Sequence, residues 1–297
     1  MKQRHTDAQV IPYPKYWRFA AAANRSVRHK PIIHGLLEVD VTRARTMLRA
    51  HRAKTGETLS FTAFLATSLA KAVDEYKAVQ AFRQGGKHLV LFGDVDINTR
   101  IERDVAGKKY VIPYIIRAAN HKTFRELHDE IRAAQKADVR RVLTRYRLLS
   151  LLPSALYNSF VWAFTRIGRR RPRLWKNTIG TVGITSVGMF GNGAGWGIPA
   201  SSPTALMLTV GGIGEKQVMV DGHTDAREYL ILTISVDHDI VDGAPAARFT
   251  QRLKELIESG YGLSEATGEM ERAKAEGVSK QPTSSSYPAV AAQASMT

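Results

Sequence analysis

"LTISVDHDIVDGAPAARFTQRLKELIE", residues 232–258, sets a strand, a tight turn and a helix in immediate succession. The opening residues are nearly all apolar or β-branched, the composition of a buried strand. Beyond Gly243, apolar residues recur at three- and four-residue spacing, which predicts an amphipathic helix over 244–259. Between the two lies His238, flanked by Asp237 and Asp239 and followed four residues later by Asp242. A histidine just past a buried strand suits a general base, because its reference pKa of about 6.5 leaves a ring nitrogen unprotonated at neutral pH. Asp242 is spaced to help hold it, and Gly243 lets the chain turn sharply into the helix. Taken alone, His-x-x-x-Asp-Gly equally describes a surface histidine at a strand end.

Outward from this stretch, strands and helices alternate. Residues 32–41, "IIHGLLEVDV", read as a strand, after which Thr42 is expected to cap a helix that Gly56 ends. Residues 60–76 repeat apolar side chains at helical spacing behind the cap candidate Ser60. Strands over 94–102 and 109–117 flank a glycine-containing turn, and 123–137 return to the helical period. Further strands are expected at 181–187, 205–213, 216–220 and 228–236. Consecutive strands without intervening helices point to a mixed sheet with helices packed against it.

With 297 residues and 44% hydrophobic content, the chain is able to bury a substantial core. It has no cysteine, which excludes disulfides, thiolate nucleophiles and cysteine-ligated metals, and no metal site is expected. The polar, basic, proline-broken start lacks a signal-peptide core, so a cytoplasmic location is the expectation. A net charge of +16 favours anionic partners. Nucleic acid is not expected among them, because no aromatic ribonucleoprotein motif, zinc knuckle or helix-turn-helix accompanies the charge.

Much of the positive charge brackets residues 148–165, "LLSLLPSALYNSFVWAFT", which contain no charged side chain. Pro153, Asn158 and the serines argue against a membrane span. Residues 139–176 read instead as a basic, apolar helical insertion, packed on the domain or a neighbouring subunit, or in contact with a membrane surface. Residues 1–30 form an N-terminal segment. The serine-, alanine- and proline-rich stretch 263–297 is expected to be a disordered tail.

The 232–258 stretch closely resembles the active-site segment of the dihydrolipoamide acyltransferases, the core subunits of 2-oxo acid dehydrogenase complexes. More distantly it is similar to chloramphenicol acetyltransferase. Residues 36–42, 59–73, 94–131 and 183–191 resemble further segments of that family in order, so the likeness spans most of 31–262. It implies a chloramphenicol acetyltransferase-like α/β two-layer sandwich, and an acyltransferase that uses coenzyme A as substrate with His238 as the base that takes the thiol proton. Asp242 would support the histidine. Thr185 aligns with the family's serine that donates to the tetrahedral oxygen, and Ser186 beside it offers a second hydroxyl. The resemblance further implies a homotrimer or larger assembly with sites at subunit interfaces, and a separate lipoyl-carrying protein as partner, since no lipoyl attachment site is recognisable in this chain. Two departures stand out: Asp239 replaces the family's usual arginine, and Thr185 its serine. They leave a non-catalytic scaffold or membrane-surface protein on the same fold as the alternative. His34 occupies a family-like position on the first strand and is read as a packed or surface residue.

Overall fold

The computed structural model describes residues 21–22, 24–105, 108–138, 154–168, 170–188, 193–199 and 201–267. Strands β1 (Ile32–Asp40), β4 (Ile97–Val105), β5 (Lys108–Ile116), β6 (Val182–Ser186), β7 (Leu206–Val220) and β8 (His223–Asp237) form one sheet in the order β1-β8-β7-β6-β4-β5. The β4–β6 and β6–β7 pairs are parallel and the other three antiparallel, the mixed sheet the pattern of the sequence implies. β2 (Phe82–Gln84) and β3 (His88–Val90) make a separate small hairpin.

Helices α1 (Thr42–Thr55), α2 (Phe61–Glu75), α3 (Phe124–Lys136) and α6 (Gly243–Glu258) supply the second layer. α2 is apolar almost all round and buries ten of its fifteen residues, as a central helix must. Its Phe64, Leu65 and Leu69 meet Phe124 and Leu127 of α3, Phe249 and Leu253 of α6, and the inward residues Leu206, Leu208, Leu232 and Ile234 of the sheet. Ser60 caps α2 by accepting the Ala63 N–H, and Thr123 with Glu126 forms a full capping box on α3. Thr42 is the first helical residue of α1 and not its cap. Its hydroxyl is spent on the Glu228 N–H of β8, while Asp40 Oδ1 takes the Thr42 N–H. Gly56 ends the helix with φ 75°, as expected.

The two strands expected at 205–213 and 216–220 are one. β7 and β8 form a hairpin of two fifteen-residue strands, turned by Asp221 and Gly222 with φ 49° and 83°, a pairing that matches the twist of the strands. Val210 pairs with Leu232 but Ile213 with Leu230, so Gly211 and Gly212 together oppose Ile231 in a bulge. The glycines are required by what crosses them: a Cβ on Gly212 would lie 1.9 Å from the Gly193 carbonyl oxygen, and one on Gly211 2.2 Å from that of Gly195. β4 starts three residues later than expected because Asp94 and Asp96 are used elsewhere. Asp96 is buried and takes the Arg117 guanidinium at 2.7 Å and the Ala118 N–H at 2.9 Å.

The described part of the basic insertion is two helices, α4 (Ser154–Gly168) and α5 (Pro172–Ile179). Trp175 of α5 anchors both. It stacks on Phe164 and tilts against Phe82, each with centroids 6.1 Å apart, and it sits so close that a Cβ on Gly168 would meet its ring at 2.5 Å. Residues 139–153 lie outside the described residues. Among the described residues, no helix is long and apolar enough to cross a membrane. After α6, the short helix α7 (Leu263–Thr267) packs on α1, and residues 268–297, most of the expected tail, lie outside the described residues.

Candidate active site

Backbone hydrogen bonds fix His238. β8 ends at Asp237, whose carbonyl accepts the Ile240 and Val241 N–H groups at 3.0 Å and so closes the turn. The His238 N–H donates to the Pro31 carbonyl at 2.7 Å, which ties the turn to the start of β1. Asp237 is buried, and a buried carboxylate needs partners. It has Lys30 at 3.1 Å and the Asp239 N–H at 3.2 Å. The imidazole itself is 43% exposed.

Asp242 is the N-cap of α6 and is itself exposed, with Oδ1 accepting the Gly243 N–H at 2.7 Å. The same oxygen lies 3.9 Å from His238 Nε2, beyond hydrogen-bond length, so the ring nitrogen stays open to a substrate. The expected pair is therefore brought together, as an electrostatic neighbour to the ring and a helix cap. Asp239, the departure from the family pattern, is ion-paired with Arg83 of β2 at 2.7 Å. The reversed charge after the histidine is thus answered by a cation from the β2–β3 hairpin. His34 donates to or accepts from Ser235 Oγ at 2.8 Å on the edge strand β1, away from the turn.

Thr185 and Ser186 are not brought to His238. Thr185 pairs with Thr209, and Thr209 with Thr233, which puts it five residues back along β8 from His238 and two strands across. At about 3.3 Å per residue and about 4.8 Å per strand, that separates the backbones by roughly 19 Å. The two hydroxyls also diverge, as neighbours on a strand must. Ser186 lines a cleft of about 470 Å³ with Arg45, Phe61 and Glu228, on the helix side. Thr185 shares the opposite face, away from the helix layer, with its pairing partners Thr209 and Thr233, whose buried hydroxyls have no hydrogen-bond partner among the described residues.

A cavity of about 500 Å³ lies against the histidine turn. Asp237, Asp239 and Ile240 form one wall, and Phe82, Trp175 and Arg170 stand on the other. Arg83 and Arg166 also line it, whereas His238 itself does not. Sequence reasoning did not single out Lys30, Pro31 or Arg83 as supports of this turn. The available signal was Asp237, a carboxylate in register with buried strand positions, which must recruit a cation from elsewhere in the chain.

Comparison with known proteins bears on this geometry. The sequence profile of the 2-oxoacid dehydrogenases acyltransferase (catalytic domain) matches residues 169–263. The lipoamide acyltransferase component of the branched-chain alpha-keto acid dehydrogenase complex of Bacillus subtilis is 27% identical over 249 residues, 82% of this chain and 50% of that protein. The succinyltransferase component of the Saccharomyces cerevisiae 2-oxoglutarate dehydrogenase complex is 37% identical over 81 residues, 27% of this chain and 17% of that protein. The chain thus spans half or less of the length of these relatives. Among solved structures, the cubic core of a pyruvate dehydrogenase multienzyme complex superposes with a TM-score of 0.61 at 21% identity, over 87% of this chain and 95% of that one. A probable dihydrolipoamide acetyltransferase from Listeria monocytogenes gives 0.59 at 22%, over 86% and 96%. Over residues 169–263, which contain the histidine turn, the chain is similar to the catalytic domain of the 2-oxoacid dehydrogenase acyltransferases, and its two-layer sandwich shares the fold of the solved cores.

Proposed function

We propose that the protein transfers an acyl group between coenzyme A and a second thiol, a dihydrolipoyl group or another acceptor, at a site completed by two copies of the chain. The carrying observation is the placement of His238: held by its backbone at the end of β8, open at Nε2, and roughly 19 Å in backbone position from the Thr185 and Ser186 hydroxyls of its own chain. One copy supplies the base and its neighbour the hydroxyl. His238 Nε2 takes the thiol proton, the sulfur attacks the thioester carbonyl, and the tetrahedral oxyanion forms. Collapse expels the leaving thiolate, which recovers the proton from the imidazolium.

The oxyanion requires a donor placed in advance. Thr185 is the better candidate, because it lies on the face of the sheet turned away from the helix layer. Ser186 turns toward the helix layer. The relatives named above are components of 2-oxo acid dehydrogenase complexes. A separate lipoyl-carrying protein is accordingly the partner to test first, and a trimer the assembly.

The test is release of free coenzyme A from a panel of acyl-coenzyme A thioesters, with and without dihydrolipoamide, against His238→Ala. Release that depends on the acyl group and drops at least about a hundredfold in the variant is the expected result. Release unchanged by the substitution would contradict the assignment of the base. Silence across the panel would favour a scaffold on the same fold.

A further inference from the structure

Helix α4 has two apolar faces and only one is used. The inner face buries Val161, lays Phe164 on Trp175 and brings Gly168 against the same ring. The outer face carries Leu156, Phe160 and Ile167, which are 60%, 56% and 48% exposed. At about 100° per residue these three fall within roughly 40° of one another, a continuous apolar stripe on the solvent side. Trp162, 63% exposed, stands on another side of the helix, roughly 140° round from the stripe, with the Arg166 guanidinium 5.5 Å from its ring centroid.

The surroundings have one sign of charge. Residues 139–214 contain no Asp or Glu while carrying ten Lys and Arg. Of these, Arg166, Arg170, Arg171 and Arg173 are exposed at the end of α4 and the start of α5, and no described carboxylate ion-pairs with them. An apolar stripe that runs into an arginine cluster has the chemistry of the boundary between lipid headgroups and acyl chains. A two-fold contact between copies of the chain would set these arginines against each other, so an isologous pairing of copies fits less well. Nucleic acid would use the arginines but leave the stripe in water.

We propose that α4 and α5 form a docking face for the surface of an anionic lipid bilayer. Leu156, Phe160 and Ile167 enter the headgroup–acyl boundary, and the four arginines meet lipid phosphates. The helix lies in the plane of the surface, consistent with its fifteen residues and uncharged outer face.

The test uses the full chain and extruded vesicles of phosphatidylcholine, with and without phosphatidylglycerol, in a flotation assay. A Phe160→Ser/Ile167→Ser variant keeps the net charge and removes the stripe, and an Arg170→Gln/Arg173→Gln variant keeps the stripe and weakens the charge. Thermal melts establish that each is folded. The proposal expects the wild type to float with phosphatidylglycerol vesicles at least tenfold more tightly than with phosphatidylcholine alone. Each variant should weaken that binding about tenfold. No flotation of the wild type would overturn it. Equal binding by the wild type and the serine variant would overturn it too, since that outcome is adsorption of a basic protein by charge alone. A serine variant that loses its oligomeric state, with a wild type that ignores vesicles, would assign the stripe to a subunit contact instead.

Discussion

At the scale of single residues, His238 and Asp242 divide their work differently from a hydrogen-bonded dyad. The carboxylate lies 3.9 Å from Nε2, is 83% exposed, and already caps the first turn of α6. Solvent screens such a pair strongly. Asp242→Asn should therefore lower turnover by less than about tenfold, whereas losing the base costs roughly a hundredfold or more. Steady-state kinetics on the two variants separates these roles. A second residue-scale expectation concerns His128. Its buried Nδ1 accepts the Ser60 N–H at 3.0 Å, so protonation would replace an acceptor by a donor at the cap of α2. Burial, then the nearby Arg132 and Arg125, hold its pKa below the ordinary value against the opposing pull of Asp129 and Glu57. The unfolded chain thus takes the proton first as pH falls. Stability from this group is complete above about pH 6.5 and is lost as pH drops below it. Glu57 adds a lower window. Hydrogen bonds from Arg125 and then His51 bring its pKa to about 2, so its contribution is lost only as pH falls from about 4.5 toward that value. Urea midpoints measured from pH 7 to pH 5 should decline in the wild type and flatten in His128→Asn.

At the scale of elements, periodicity in the sequence located α2, α3, α6 and the core strands, because each buries one regular face. It failed where the determinant is a contact distant in sequence. Residues 214 and 215 read as a break between two strands, and Gly211 and Gly212 as ordinary positions of the first. In the structure these two glycines are a bulge in one strand, crossed by the backbone of Gly193 and Gly195, and no local pattern announces that crossing. Thr42 looks like a helix cap by type, but its hydroxyl goes to Glu228, 186 residues away. Likewise His238 and Asp242 were legible as a pair from their spacing, while the separation of both from Thr185 follows from a register across β6, β7 and β8. The bulge has a measurable consequence. Gly212→Ala places a methyl 1.9 Å from a backbone oxygen that has no side-chain freedom to yield. It should destabilise the protein by roughly 3 kcal/mol, at the upper end of overpacking. The same change at Gly86, where a Cβ would meet nothing within 4 Å, should leave the denaturation midpoint nearly unmoved. Chemical denaturation of the two variants makes the comparison.

At the scale of the whole molecule, the sheet separates His238 from Thr185 within one chain, and the proposed site requires a second copy to reunite them. Closed assemblies of identical subunits make every such junction equivalent. His238→Ala and Thr185→Ala subunits are each inactive in isolation on this account, for opposite reasons. One lacks the base and retains the hydroxyl, and the other the reverse. Unfolding and reassembling an equal mixture therefore creates junctions where an intact His238 meets an intact Thr185 of the neighbour. With random association, about a quarter of the junctions are of this kind. Coenzyme A release by the reassembled mixture should recover to about a quarter of the wild-type rate, while each variant reassembled alone stays at its residual level. A mixture no more active than the sum of the two variants would contradict a shared site.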